Sequence, residues 1–264
     1  MKRYNPTISL SKNSRGCYIL DTVKGCRVCG VRPGGCYGEC YAQKIASRYK
    51  LEFNNPVIRD FYVDTQQMML FDLQDERHLS RVINEVANVD MPFIRIGEMG
   101  DPSEDWEHTI AVCEKLRPAM KPIVIITKHW NVIPDNLLTT VNSLGLCINT
   151  SISALDTDEE IEHRWNEYNR LKPYCNSVLR VVSCDFNVET KEGKRMNTTQ
   201  DQLFDNDRVI DTVFRPSATN QLVTGGAINV EKVKFLGSTM LASKRNKNAY
   251  LGRCDSCPDM CGVV

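Results

Sequence analysis

KPIVIITKHWNVIPDNLLTTVNSLGLCINTSIS, residues Lys121 to Ser153, holds a complete strand, helix, strand unit. Ile123-Val-Ile-Ile126 is a short, wholly apolar run of the kind that a parallel sheet buries on both faces. A helix is expected from about Pro134 to Val141, and Leu146 to Ile152 reads as the next strand. The pattern continues in both directions. Upstream, Pro92 to Ile96 is strand-like and breaks at Gly97, and Ser103 to Leu116 is helical, with Ser103 as N-cap and acidic residues in its first turn. Downstream come a helix over Asp156 to Leu171, strands over Ser177 to Val182 and Asp211 to Phe214, and Val233 to Leu236 as the strand that would close the series. Glu39 to Leu51 and Leu79 to Val89 are further helix candidates.

Short apolar strands alternating with helices define an α/β chain of βαβ units with a parallel sheet. By analogy with known architectures, a partial or complete (β/α) TIM-like barrel is favoured over a doubly wound open sheet. The polar segment Asn187 to Asp207 reads as a surface excursion or lid. No solenoid repeat and no linker divides the chain, so residues 1–264 are expected as a single domain, with the barrel over 17–240 and a cysteine-rich segment over 241–264.

With 264 residues, of which 42% are hydrophobic, the chain can bury one barrel-sized core. The opening Met-Lys-Arg-Tyr-Asn-Pro-Thr has no apolar signal region, and no run approaches the ~18 apolar residues of a membrane span. A reduced, cytoplasmic setting is expected, in which the twelve cysteines bind metal or remain thiols rather than form disulfides. The balance of 33 basic and 33 acidic residues argues against a broad nucleic-acid surface. The basic residues Lys44, Arg48 and Lys50 and the run Lys244-Arg245-Asn-Lys247 read as solvated surface.

The cysteines are not evenly spread. Four fall within Gly25 to Ala42 (Cys26, Cys29, Cys36 and Cys40), and three close the chain (Cys254, Cys257 and Cys261). Thiolates two to six residues apart on glycine-rich loops can converge on one ion or cluster. Cys113, Cys147, Cys175 and Cys184 are scattered on helices and strands and read as packing residues, with Cys184 at a strand end.

Parallel α/β folds bind ligands at the C-terminal ends of their strands. Here those ends carry Gly97-Glu98-Met-Gly100-Asp101, Thr127-Lys128-His129-Trp130, Asn149 to Ser153, Arg180 with Ser183-Cys184-Asp185, and Arg215-Pro-Ser217. Asp101, Ser103 and Asp156 read equally well as caps or turns. Of the four histidines only His129 stands at a strand end, and no zinc-hydrolase pairing, phosphate-binding glycine motif or nucleophile elbow is present.

A cysteine loop ending in Cys40-Tyr41-Ala42, ahead of the first helix of such a fold, resembles the cluster loop of the radical S-adenosylmethionine superfamily, and in particular small phage-type members with a variant loop. The likeness covers about residues 17–185 and rests on the loop over 25–42, with Gly97-Glu98, Ile126-Thr127-Lys128 and Thr150-Ser151-Ile-Ser153 as counterparts of later motifs. The common spacing Cys-x-x-x-Cys-x-x-Cys has no match; Cys29, Cys36 and Cys40 leave gaps of six and three residues, and starting from Cys26 leaves nine and three.

The resemblance implies a [4Fe-4S] cluster on Cys29, Cys36 and Cys40, with S-adenosylmethionine on its open iron and a reductant protein such as flavodoxin or ferredoxin as partner. It implies Tyr41, Gly97 and Glu98 as cofactor-binding residues. Lys128 and Arg180 are the expected catalytic residues, and with Ser151 and Ser153 they would meet the cofactor carboxylate, the ribose or the substrate. Cys254, Cys257 and Cys261 resemble ligands of a second, auxiliary cluster, whose fourth ligand would be Cys26, Cys17 or substrate. Two alternatives stand beside it. In one, zinc on Cys26, Cys29, Cys254 and Cys257 staples the termini of a barrel that binds nucleic acid or a protein partner without redox chemistry. In the other, the barrel is a metal-dependent hydrolase, for which the His and carboxylate set is lacking.

Overall fold

In the computed structural model of the chain, which describes residues 2–32, 34–61, 72–229, 234–236, 239–241 and 250–263, the first parallel strand lies ahead of the cysteine loop. β1 (Ser11–Lys12), β2 (Tyr18–Ile19) and β3 (Val23–Lys24) lead into that loop, which carries α1 (Val28–Val31) and runs into α2 (Tyr41–Arg48). β4 (Val57–Ile58) returns antiparallel to β3, and α3 (Asp72–Ala87) leads to β5 (Ile94–Ile96). The alternation then follows as α4 (Trp106–Leu116), β6 (Ile123–Thr127), α5 (Leu138–Ser143), β7 (Cys147–Ile152), α6 (Asp158–Leu171), β8 (Asn176–Ser183), α7 (Lys191–Phe204) and β9 (Val209–Val213).

These strands form one seven-stranded sheet in the order β1-β2-β5-β6-β7-β8-β9, parallel throughout except for the antiparallel edge strand β1. A sheet whose order follows the chain is wound in one direction, and crossovers of one hand then keep its helices on one face. The core agrees. Ile94, Ile96, Ile123, Ile125 and Ile148 pack on that face against Ile110, Leu116, Leu138 and Val141 of α4 and α5, and Ile152, Leu179 and Val181 pack against Tyr168 and Leu203 of α6 and α7. Each such side chain, fully buried, contributes about 1.5–3 kcal/mol relative to exposure. The opposite face carries Ile19, Phe93, Val124, Cys147, Val178 and Ile210, covered by Met260, Cys261 and Val263 of the C-terminal segment. Burial on both faces is why β6 is apolar at every position from Ile123 to Ile126.

Several expectations are corrected. No ladder joins β9 to β1 among the described residues, so the sheet is not a closed barrel there. The strand expected to close it is instead β10 (Lys234–Leu236), which pairs antiparallel with β11 (Thr239–Leu241) in a separate ribbon, after the short α8 (Gln221–Thr224). Val233 and the basic run from Lys244 to Lys247 lie outside the described residues. The expected lid over Asn187 to Asp207 contains α7, the crossover helix between β8 and β9. Its buried residues Met196, Gln200 and Leu203 recur at helical spacing, and the Gln200 amide pairs both backbone groups of Cys184, at 2.8 and 2.9 Å. Burying an amide there is tolerated because both its ends are satisfied.

Helix starts differ in detail. Asp105, not Ser103, caps α4 by accepting from the His108 amide at 2.9 Å; Ser103 lies in a 3₁₀ turn capped by Asp101. α6 starts after Thr157, whose side chain and that of Glu160 form a reciprocal capping box. Among the described residues, no helix is long and apolar enough to cross a membrane.

Candidate metal and cofactor site

The cysteine loop folds back on itself because two of its glycines occupy positions closed to other residues. Gly25 has φ +102°, and a Cβ there would stand 2.6 Å from the Phe53 carbonyl; Gly35 has φ +74°, and its Cβ would stand 2.3 Å from Cys40 Cβ and 3.1 Å from Cys29 Sγ. The chain thereby carries Cys29 on α1, Cys36 on a 3₁₀ turn and Cys40 at the N-cap of α2 into one place. Cys26, Cys29, Cys36 and Cys40 pack in one cluster, with Cys29 the shared neighbour of the other three, so Cys26 joins the set that the spacing had assigned to three. The closeness of Cys26, Cys36 and Cys40, then burial, raises Cys29 far above the ordinary thiol range. Cys36 is lowered to about 6, chiefly by the neighbouring Cys29, with Lys128 also favouring its thiolate against the effect of burial. The thiols are gathered around Cys29 rather than spread about a common centre: among the described residues no three or more His, Cys, Asp or Glu side chains are set to hold a metal ion.

These cysteines border a cavity of about 430 Å³ at the C-terminal ends of the strands. Of the residues expected in the site, Tyr41, Gly97, Glu98, Lys128, Ser151 and Arg180 also line it. Gly97 has φ +96°, and a Cβ there would meet the Ile126 carbonyl at 2.2 Å, so only glycine lets β5 turn this close to β6. The Tyr41 hydroxyl donates to the Glu98 carbonyl at 3.2 Å. The Glu98 carboxylate is held by Arg95 at 2.7 Å and by the Asn13 amide at 3.1 Å. Asp21, buried and overlooked in the sequence, fixes this turn by accepting from the Glu98 amide at 2.8 Å and the Met99 amide at 3.3 Å.

Lys128 is not a free amine. Its ammonium lies 3.2 Å from Asp156 and donates to Tyr37 Oη at 2.5 Å, and Tyr37 in turn donates to Asp156 at 2.7 Å. Arg164 meets the same carboxylate at 2.6 Å and lies over the Trp130 ring, with the Arg32 guanidinium also near that ring at 5.5 Å. Burial alone would raise the Asp156 carboxyl, and Lys128 and Arg164 more than reverse that, holding it below the usual range. Asp156, read from sequence as a possible turn residue, is therefore the anchor of this wall.

Ser153 is corrected: it is fully buried, its hydroxyl donates to the Val182 carbonyl at 2.7 Å and its amide to Asp156, and it does not line the cavity. His129 is likewise buried, packed on Trp106 with Nε2 3.1 Å from Thr150 Oγ1, and faces away from the cavity lining. Cys184 is buried in a core with Phe186, Met196 and Phe214.

The cavity rim joins the first and last parts of the sheet. Glu39 accepts from the Ser217 amide at 2.7 Å and also pairs with Lys44, and Asn220 donates to the Tyr37 carbonyl at 2.9 Å. The cysteine loop thus spans from the β5 side to the loop after β9 without a strand pairing there.

The second cysteine group lies on the inner sheet face. The Cys254 amide donates to the Arg15 carbonyl at 2.7 Å, and the Cys261 carbonyl accepts from the Asn149 amide at 2.9 Å. Gly262 packs where a Cβ would stand 2.5 Å from Val178 Cγ2. Cys17, fully buried, donates to the Tyr18 carbonyl at 3.7 Å and lies beside Cys254; that pairing, then burial, raises Cys17, while the same pairing, with Arg15, Arg95 and Arg180 nearby, lowers Cys254 to about 6. Cys261 stands close enough to raise both Cys17 and Cys257. Cys17 is thus the N-terminal residue that joins the tail. The stapling set of Cys26, Cys29, Cys254 and Cys257 is not brought together, since Cys29 meets Cys26, Cys36 and Cys40 and Cys254 meets Cys17.

Compared with known proteins, the chain matches no family model, no curated protein and no solved structure.

Proposed function

We propose that the protein is an iron-sulfur enzyme that reductively cleaves S-adenosylmethionine, and that its one-way sheet is the partial (β/α) barrel of that class. One observation carries the reading: Cys26, Cys29, Cys36 and Cys40 gather at the edge of an about 430 Å³ cavity at the strand ends, beside Tyr41, Gly97 and Glu98. An all-thiol set on a glycine-bearing loop suits an iron-sulfur cluster, with Cys29, Cys36 and Cys40 as its ligands. Held by Cys29, Cys36 and Cys40, such a cluster would supply the electron for reductive cleavage of S-adenosylmethionine.

The chain's own residues bind, orient and shield. Gly97 allows the backbone before Glu98 to approach a ligand, while Arg95 and Asn13 neutralise and fix the Glu98 carboxylate. Tyr41 closes over that turn through its bond to the Glu98 carbonyl. Ile126, Val182, Phe214 and Trp130 supply apolar wall that excludes water. Lys128, held by Asp156 and Tyr37, acts as a fixed positive charge rather than as a base. In this reading a flavodoxin- or ferredoxin-like protein delivers the electron.

The second reading is a zinc-bearing barrel that binds nucleic acid or a protein partner without redox chemistry. The observation in its favour is that Cys26 joins the loop set, because four thiolates are the number a tetrahedral zinc site takes. Anaerobic purification with iron, sulfide and zinc analysis separates the two. The first reading expects about four or eight irons per chain, absorption near 400 nm that bleaches with dithionite, and cofactor cleavage lost in Cys36→Ala and Cys40→Ala. Stoichiometric zinc from cells supplied with iron overturns it.

A further inference from the structure

Three guanidinium groups meet where two hollows join. Arg15, Arg180 and Arg215 line the about 430 Å³ cavity and also a smaller hollow of about 40 Å³ bounded by Cys254, Cys257 and Cys261. They come from the turn after β1, from β8 and from the loop after β9, so only the folded sheet assembles them. Their own bonds are few. Arg15 donates to the Gly252 carbonyl at 2.6 and 3.0 Å, and among the described residues Arg180 reaches only Asn149 Oδ1 at 3.5 Å and Cys261 Sγ at 4.0 Å. Among the described residues, no carboxylate lies within 4.0 Å of any of the three.

Most acids of the same walls are engaged elsewhere. Glu98 holds Arg95 at 2.7 Å, Glu39 holds Lys44 and Ser217, and Asp101 accepts from Thr127 at 2.6 Å and from the Lys128 amide at 2.8 Å. Asp211 and Asp259 line the smaller hollow, and Asp211 accepts from Ser183 Oγ at 2.5 Å. Arg215 is exposed at the rim, and partial desolvation of its guanidinium, then Arg15 and Arg180, lowers it from its ordinary range, with Cys254 acting the other way. Crowded like charges with no carboxylate in direct contact raise the free energy of the site, and a bound anion recovers it.

We propose that Arg15, Arg180 and Arg215 form the recognition site for a small-molecule substrate that carries a phosphoryl group. The choice of phosphoryl follows from charge and shape. Each guanidinium fork can take two oxygens, and a dianion with three terminal oxygens engages several forks at once, whereas one carboxylate engages one. The inference rests on the proposed function in taking this cavity as the reaction site, and it names the substrate class.

The test is calorimetric titration of the full-length, anaerobically purified protein at constant ionic strength, with inorganic phosphate and with acetate as probes. Phosphate is expected to bind about tenfold or more tightly than acetate, and Arg15→Gln and Arg215→Gln are each expected to weaken it about tenfold or more with metal content unchanged. Equal affinity for the two probes, or undiminished phosphate affinity in the Arg15→Gln, Arg215→Gln double variant, overturns the proposal. Metal content and cofactor cleavage are read on the same samples. Absent phosphate binding with cleavage intact fails the anion site alone; phosphate binding by a protein that takes up zinc and no iron upholds the anion site and fails the redox reading alone.

Discussion

The Asp156 carboxylate and the Arg164 guanidinium meet at 2.6 Å with both side chains about 1% exposed. The contact is one of charge, since neither terminal nitrogen of Arg164 has an aligned hydrogen-bond partner. The same carboxylate takes Lys128 at 3.2 Å and the Tyr37 hydroxyl at 2.7 Å. One acid thereby ties the cysteine loop, the end of β6 and helix α6 into a single wall of the cavity.

Among the described residues, replacing that acid leaves Lys128 without a carboxylate and the buried Arg164 with Glu160 alone, at 3.4 Å. Asp156→Asn is expected to lower stability by about 3–5 kcal/mol, the range for breaking a buried ion pair from one side. Denaturant unfolding followed by circular dichroism measures it, and an unchanged midpoint would remove Asp156 as the anchor.

The pair also sets an acid limit. The folded-state value of Asp156 is depressed, so its contribution is complete above the ordinary carboxylate range near pH ~4 and is lost as pH falls through the lower folded value. Wild type should therefore lose stability on acidification below about pH 4 more steeply than Asp156→Asn. Parallel curves for the two proteins would show that other carboxylates account for the acid limb.

If the cysteine loop holds metal as proposed, its tight return makes Gly35 a sensitive position for metal uptake. A Cβ at Gly35 would stand 2.3 Å from Cys40 Cβ, whereas one at Gly145, also at positive φ, meets nothing within 4 Å. Gly35→Ala is expected to lose most of its bound metal, and Gly145→Ala to keep it at a stability cost of about 1–2 kcal/mol. Metal analysis of the two purified variants, showing equal content, would contradict the role given to the loop.

The tail cysteines give an independent measurement. If Cys17 completes the set with Cys254, Cys257 and Cys261, Cys17→Ser should lose the metal bound by the tail while keeping that of the loop. The ratio of total metal per chain in wild type, Cys17→Ser and Cys36→Ala reads this directly. No change in Cys17→Ser would leave Cys17 as a packing residue under the tail.

Much of the sheet was legible because a parallel strand buried on both faces is apolar at nearly every position, as in Ile123 to Ile126. β2 was not, because its two residues, Tyr18 and Ile19, are too few to show a periodicity. Helix α7 was hidden for a related reason: one of its buried positions is Gln200, a polar residue whose partners lie on the Cys184 backbone. Ser153 looked like a ligand-facing residue because strand ends carry sites, yet its hydroxyl closes the turn to Val182.

The sequence by itself determined the alternation of strands and helices and the two cysteine groups, since periodicity and clustering are properties of neighbours along the chain. It named Gly97, Glu98, Lys128 and Arg180 as strand-end residues for the same reason. Only the tertiary structure decided that Cys26 joins Cys29, Cys36 and Cys40, that Cys17 meets Cys254, that Asp156 holds Lys128, and that Arg15, Arg180 and Arg215 share one junction. Those relationships span separations from a few residues to more than two hundred. They exist because a sheet wound in one direction brings successive strand ends to one mouth, where the tail and the cysteine loop pack on its inner face.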